Sequence, residues 1–232
     1  PPPPPPPPPP AIFFLLIRRP PRSTLDRSAS ASDVYKRQMD TLGMPGAHPE
    51  GRFFPDTYWF PRDTPAIDIL QQSHEALEEQ LALAWSSYRT GTVLQRPYDA
   101  LILASIIEKE TALANERRRI AGVFHRRLEQ GVRLQTDPTV IYGLGSNFDG
   151  NLRRTDLVQD TPYNTYTRAG LPPTPISLPG RAALDAAVAP EAGPELYFVA
   201  TGEGDGSHYF SSTLEEHNAA VARYLQRIRS SR

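Results

Sequence analysis

The chain has 232 residues, 39% of them hydrophobic, with a formal net charge of −1 and no cysteine. That length suggests one or two domains, the near-neutral charge excludes an electrostatic footprint for nucleic acid, and the missing thiols exclude disulfides and thiolate-bound metal. The 26 prolines are too many for a globular domain until their positions are read, because Pro1 to Pro10 form one unbroken run.

In chain order, residues 1–38 look foreign to the rest of the chain. Ten prolines favour a polyproline helix with no core to join. The apolar run from Ala11 to Ile17 is too short for a membrane span, which takes about 20 apolar residues. It also lacks the preceding positive side chain of a signal peptide. Arg- and Ser-rich sequence then runs to Gln38. This segment reads as non-native and disordered, with the natural fragment beginning near Met39 and a single catalytic-domain fragment spanning 39–232.

Phe53 to Pro61 is a dense aromatic turn whose prolines forbid a long helix. Ala66 to about Tyr88 has helical spacing, with Ile67, Leu70, His74, Leu77, Leu81 and Trp85 on one face. Pro97 starts a helix predicted to reach about Leu113, and a further helix over Glu116 to Glu129 turns Ile120, Val123, Phe124 and Leu128 inward before Gly131. Its arginines, Arg117 to Arg119 with Arg126 and Arg127, read mostly as a solvated face. Residues 132–180 carry much Pro, Gly, Thr and Asn and read as ordered loops with short strands or helical turns. A short helix is predicted for Arg181 to Ala189. Glu195–Thr201 and His208–Ser212 read as a hairpin, and Thr213 with Glu216 forms a capping box for a last helix. Helices flanking a small antiparallel sheet, joined by long ordered Pro/Gly/Tyr-rich loops, give an α+β class.

Two glutamates sit on the helix that Pro97 begins. Leu103, Ile106, Ile107, Glu110 and Leu113 share one stripe at three-and-four spacing, so Glu110 continues an apolar face. Glu108 lies far round the helix beside Leu101, Ala104, Ser105 and Ala112. Desolvation raises a carboxyl pKa, which makes Glu110 a candidate general acid near neutral pH. Two solvated glutamates pairing with Arg117 or Arg118 would give the same pattern. Downstream, Gln135, Thr136, Asp137, Tyr142, Tyr163, Asn164 and Tyr166 supply the rings, amides and hydroxyls that bind sugars. Turn formation by Asp-Pro, Asn-Thr and Pro-Pro explains that composition equally well. The five histidines have no metal-ligand spacing, and no metal site or cofactor is expected.

Several segments in one order resemble the YceG-like family of endolytic murein transglycosylases. They are Glu50 to Tyr58, Ala104 to Thr111, Leu134 to Tyr142, Pro162 to Tyr166, Gly170 to Pro173, Leu196 to Val199, His208 to Phe210 and Glu216 to Asn218. The resemblance implies a lytic transglycosylase that cuts the MurNAc–GlcNAc β-1,4 bond of nascent glycan strands and leaves a 1,6-anhydro-MurNAc end. It implies a role in cell wall assembly and glycan-length control, with Glu110 as the family's catalytic glutamate. Peptidoglycan strands are then the substrate and cell-wall synthases candidate partners. Family members carry an N-terminal transmembrane helix and a LysM-like domain, neither visible here. Their catalytic domain faces outward from the bacterial inner (plasma) membrane.

Three rival readings differ in chemistry. A hydrolytic muramidase would need a second carboxylate, for which Asp137 is the candidate. A binding or scaffold module would need no catalytic group. A pyridoxal-phosphate lyase of the aminodeoxychorismate type would need a Schiff-base lysine, and Lys109 is the one lysine in the matched region.

Overall fold

The computed structural model describes residues 39–88 and 93–230, together with the strand Leu15–Leu16. Apart from that strand, the reading of residues 1–38 as a non-native segment lies outside the described residues. The described residues divide between 78 and 79 into two compact units.

In the first unit, β1 (Leu15–Leu16) pairs antiparallel with β2 (Thr57–Tyr58). The aromatic turn buries Phe53, Phe54 and Tyr58. The hydroxyls of Tyr58 and Ser73 both donate to the Phe54 carbonyl, at 2.8 and 3.0 Å. Ser73 belongs to α1 (Ala66–Ser86), whose later residues lie in the second unit. The buried stripe of α1 is Ile69, Ser73, Leu77, Leu81 and Ala84, while the predicted Ile67, Leu70, His74 and Trp85 are half-buried. The stripe is rotated because a buried serine satisfied by a distant carbonyl leaves no mark in a hydropathy pattern.

The second unit is α+β. It contains α2 (Pro97–Glu110), α3 (Arg117–Glu129), α4 (Asp137–Leu144), α5 (Arg154–Val158), α6 (Arg181–Val188), β3 (Tyr197–Ala200), β4 (His208–Ser211) and α7 (Leu214–Ser230). The central element is α2, buried without interruption from Asp99 to Ile107 and packed against α3, α4 and α6. Each fully buried Leu or Ile there stabilises the fold by roughly 1.5–3 kcal/mol. Asp99 accepts the N–H groups of Gln95 and Arg96, both at 3.0 Å, and so satisfies the start of this helix.

The helix stops at Glu110, short of the expected Leu113. Thr111 is extended, and its hydroxyl accepts the Leu113 N–H at 3.0 Å, a local turn that replaces the next helical bond. The tract 132–180 is more helical than its composition suggests. Asp137-Pro138 opens α4 in place of a simple turn, because proline lacks only an N–H that the first helical turn leaves unpaired anyway. Gly143 lets α4 approach the next segment, since a Cβ there would lie 2.9 Å from the Thr161 hydroxyl and 3.2 Å from Tyr163 Cβ.

The hairpin pairs Phe198 with Phe210 and Val199 with Tyr209, and α7 packs across both strands. Glu216 accepts the N–H groups of Ser212 and Thr213 while Thr213 accepts that of Glu216, completing the capping box.

The arginines of α3 are only in part a solvated face: Arg118 is exposed, yet the row is tied to the rest of the unit. Arg118 donates to the Ala189 carbonyl, Arg119 pairs with Glu195 at 2.8 Å, and Arg126 donates to the Glu195 and Glu191 carbonyls. Together they fasten the segment before β3 onto α3. Arg127 is buried, and hydropathy scoring misses it because its guanidinium is satisfied by carbonyls remote in sequence.

Candidate active site

Glu110 ends α2 and meets the segment that leads into α4. Thr136 is buried and donates its hydroxyl to Glu110 Oε1. Thr136 is itself fixed: its N–H donates to Thr165 Oγ1 at 3.1 Å, and its carbonyl accepts the Thr139 hydroxyl at 2.8 Å. The Thr139 and Thr165 hydroxyls share a further hydrogen bond of 2.8 Å. Gln135, with φ of 51° in the left-handed region, donates its N–H to the Thr165 carbonyl. That backbone conformation is disfavoured for a non-glycine residue and persists here because both neighbours are pinned.

Burial drives the Glu110 pKa up to about 7; Asp137 adds to the rise, while the Thr136 hydrogen bond and the Arg127 charge oppose it. Glu110 keeps part of its side-chain surface open even though its carboxyl is closely surrounded. A half-protonated carboxyl near neutral pH can both give and take a proton.

Asp137 is exposed and accepts the Tyr166 hydroxyl at 2.5 Å. Tyr166 is pushed above its ordinary pKa by burial and by the Asp137 carboxylate, so it stays a neutral donor. Tyr142 and Tyr163 meet edge to face with centroids 4.8 Å apart, and the Tyr163 hydroxyl shares a hydrogen bond with Thr174 at 2.8 Å. Gln135 is exposed. The expected site residues thus lie on two segments, 135–142 and 163–166, joined by the Tyr166–Asp137 hydrogen bond and the Tyr142–Tyr163 ring contact, with Glu110 tied to the first through Thr136.

Asn164 takes a different place. It is fully buried; its amide donates to the carbonyls of Asp156, Leu157 and Gln159, and its side-chain oxygen accepts the Tyr166 N–H at 2.8 Å. These bonds occupy both ends of the side chain and make it a staple that presents Tyr163 and Tyr166.

Glu108 accepts the N–H of Gly180 at 3.2 Å, the residue that caps α6. A carboxylate at that end is favoured by the helix dipole. Ser105 accepts the Ile176 N–H at 3.0 Å, and its carbonyl accepts the Ser177 hydroxyl at 2.8 Å, tying the Pro-rich tract to α2. Lys109 is exposed on the last turn of α2. Among the described residues no group of three or more His, Asp or Glu could hold a metal ion. A surface cavity of about 480 Å³ lined by Arg119, Glu195, Phe210 and Glu216 shares no residue with the Glu110 site.

A family model described as the YceG-like family matches residues 19–223. The chain belongs to the YceG-like family. Among its relatives, the endolytic murein transglycosylase of Bacillus subtilis is 38% identical over 180 residues, 77% of this chain and 49% of the relative. That of Streptococcus pneumoniae strain R6 is 30% identical over 76% of this chain and 32% of the relative. The chain therefore spans half or less of the length of these relatives. The crystal structure of a YceG-like protein from Listeria monocytogenes is similar with a TM-score of 0.65 and 37% identity, covering 82% of this chain and 62% of that one.

Proposed function

We propose that this YceG-like chain carries the catalytic portion of an endolytic murein lytic transglycosylase, with Glu110 performing both proton transfers. Support comes from the names of its relatives and from one observation above others: a single glutamate, raised to about 7 and held by Thr136. As acid, Glu110 protonates the oxygen between N-acetylmuramic acid and N-acetylglucosamine. As base, it then takes the proton from the muramoyl C6 hydroxyl, which closes onto C1 to give the 1,6-anhydro end. The protons balance on one carboxyl, and no water enters. Gln135, Asp137, Tyr142, Tyr163 and Tyr166 contact the sugars, and Asn164 supports them from behind.

The substrate is peptidoglycan glycan strands, and the site of action is the outer face of the bacterial inner membrane, beside the synthases that make those strands. No helix among the described residues is long and apolar enough to cross a membrane.

The test is Glu110→Gln, assayed for cleavage of glycan strands and for co-sedimentation with murein. We expect cleavage to fall by roughly a hundredfold to ten-thousandfold with binding retained. Unchanged cleavage would reject Glu110 as the acid, and a wild-type chain that binds but never cuts would favour a scaffold.

A further inference from the structure

Arg127 is a buried cation whose described hydrogen bonds all go to main-chain oxygens. Nε donates to the Leu196 carbonyl at 2.6 Å, and Nη1 donates to the carbonyls of Leu134 and Arg133 at 2.8 and 3.1 Å. Its neighbours Arg119 and Arg126 share the Glu195 carboxylate, but Arg127 takes no part in that cluster. The guanidinium lies over the Tyr197 ring at 5.1 Å, and Tyr197 in turn stacks on His217 at 5.1 Å. Burying a cation costs several kcal/mol unless opposite charge compensates it, and carbonyl dipoles alone are partial compensation.

We propose that Arg127 is a positioning residue of the Glu110 site: it holds the segment that carries Thr136, and its buried charge favours Glu110 in the ionised form once its proton has left. This rests on the reading of Glu110 as the acid. The positioning role comes from connectivity, because Leu134, fixed by Arg127, stands two residues before Thr136, whose hydroxyl reaches Glu110. The electrostatic role comes from the charges around the carboxyl. The groups acting on Glu110 are Asp137 and Thr136 from the segment entering α4, and Arg127 from α3. Tyr166 feels both Glu110 and Arg127. On its other side Arg127 faces Tyr197 and His217, neither of them a carboxylate. Arg127 is the group among these that favours an ionised Glu110 by charge.

Carboxyl titration of Glu110 by carbon-detected NMR, in the full chain and in its Arg127→Gln and Arg127→Lys variants, tests this without substrate. Arg127→Gln should move the Glu110 pKa upward, on the order of half a unit. Arg127→Lys keeps the charge, so its Glu110 pKa should rise by less than that of Arg127→Gln. Its cleavage rate should nevertheless fall about tenfold with little change in KM, since an ammonium cannot span three carbonyls in the geometry of a planar fork. A Glu110 titration unmoved in Arg127→Gln, or moved as far in Arg127→Lys, overturns the proposal. If Arg127→Gln does not fold, the lysine variant decides alone, slowed cleavage at an unchanged KM supporting the proposal and wild-type cleavage refuting it. Full cleavage by Glu110→Gln would instead remove the reading of the acid, and the titrations would still judge the charge coupling by itself.

Discussion

At the scale of the residue, Glu110 and Glu108 differ by their partners more than by their helix faces. The stripe through Leu103, Ile106 and Ile107 singles out Glu110 in the sequence, yet α2 is buried from Asp99 to Ile107 on every side, so its faces are less distinct than that pattern implies. Glu110 meets a hydroxyl and Glu108 meets a helix N-terminus. Neither partner can be read from local sequence, since Thr136 and Gly180 lie 26 and 72 residues away. Removing the donor in Thr136→Val should raise the Glu110 pKa further, because that hydrogen bond favours the ionised form. The alkaline limb of the cleavage profile should then move to higher pH, while the rate at the optimum falls roughly tenfold for a lost bond worth about 1.4 kcal/mol. A pH–rate profile of the variant checks both; an alkaline limb at lower pH would contradict the assigned role of Thr136.

At the scale of the element, the hairpin, the capping box of α7 and the helices around α2 were legible, because periodicity and turn chemistry act locally. The tract 132–180 was legible only in part. Its proline at position 138 reads as a turn and begins a helix, and Asn164 reads as a sugar ligand although its amide is consumed by three carbonyls. An asparagine looks the same in sequence whether it faces a ligand or a loop. Asn164→Ala leaves buried carbonyls unpaired and should destabilise the second unit by about 2–3 kcal/mol, measured by denaturant unfolding. A variant of unchanged stability and weakened sugar binding would return Asn164 to the binding surface. Glu108→Ala should cost about 1 kcal/mol through the lost cap of α6 and leave the pH–rate profile in place. A displaced profile would give Glu108 a part in the chemistry.

At the scale of the whole molecule, the site carries a stability cost with a defined pH dependence. The folded-state pKa of Glu110 is raised, so the native protein binds more protons than the unfolded chain between about pH 4.5 and 7 and loses stability as pH rises through that window. Glu110→Gln removes the cost: at pH 8 its melting temperature should exceed wild type and its unfolding free energy should be higher by on the order of 3 kcal/mol, with the difference closing by about pH 5. Equal melting at both pH values would show that burial does not raise the carboxyl. The family was legible from motifs spread across the chain, while the arginine clamp that joins α3 to the hairpin was not, because its partners meet only in the folded state. In the proposed reaction one carboxyl serves as acid and base, and glycan strands are cut without water. Mass analysis of the new ends after digestion of nascent strands by this chain tests it directly. Anhydro-muramoyl ends, lighter by one water than reducing ends, are the expected result; reducing muramic acid ends would contradict the claim and point to Asp137 as a second carboxylate.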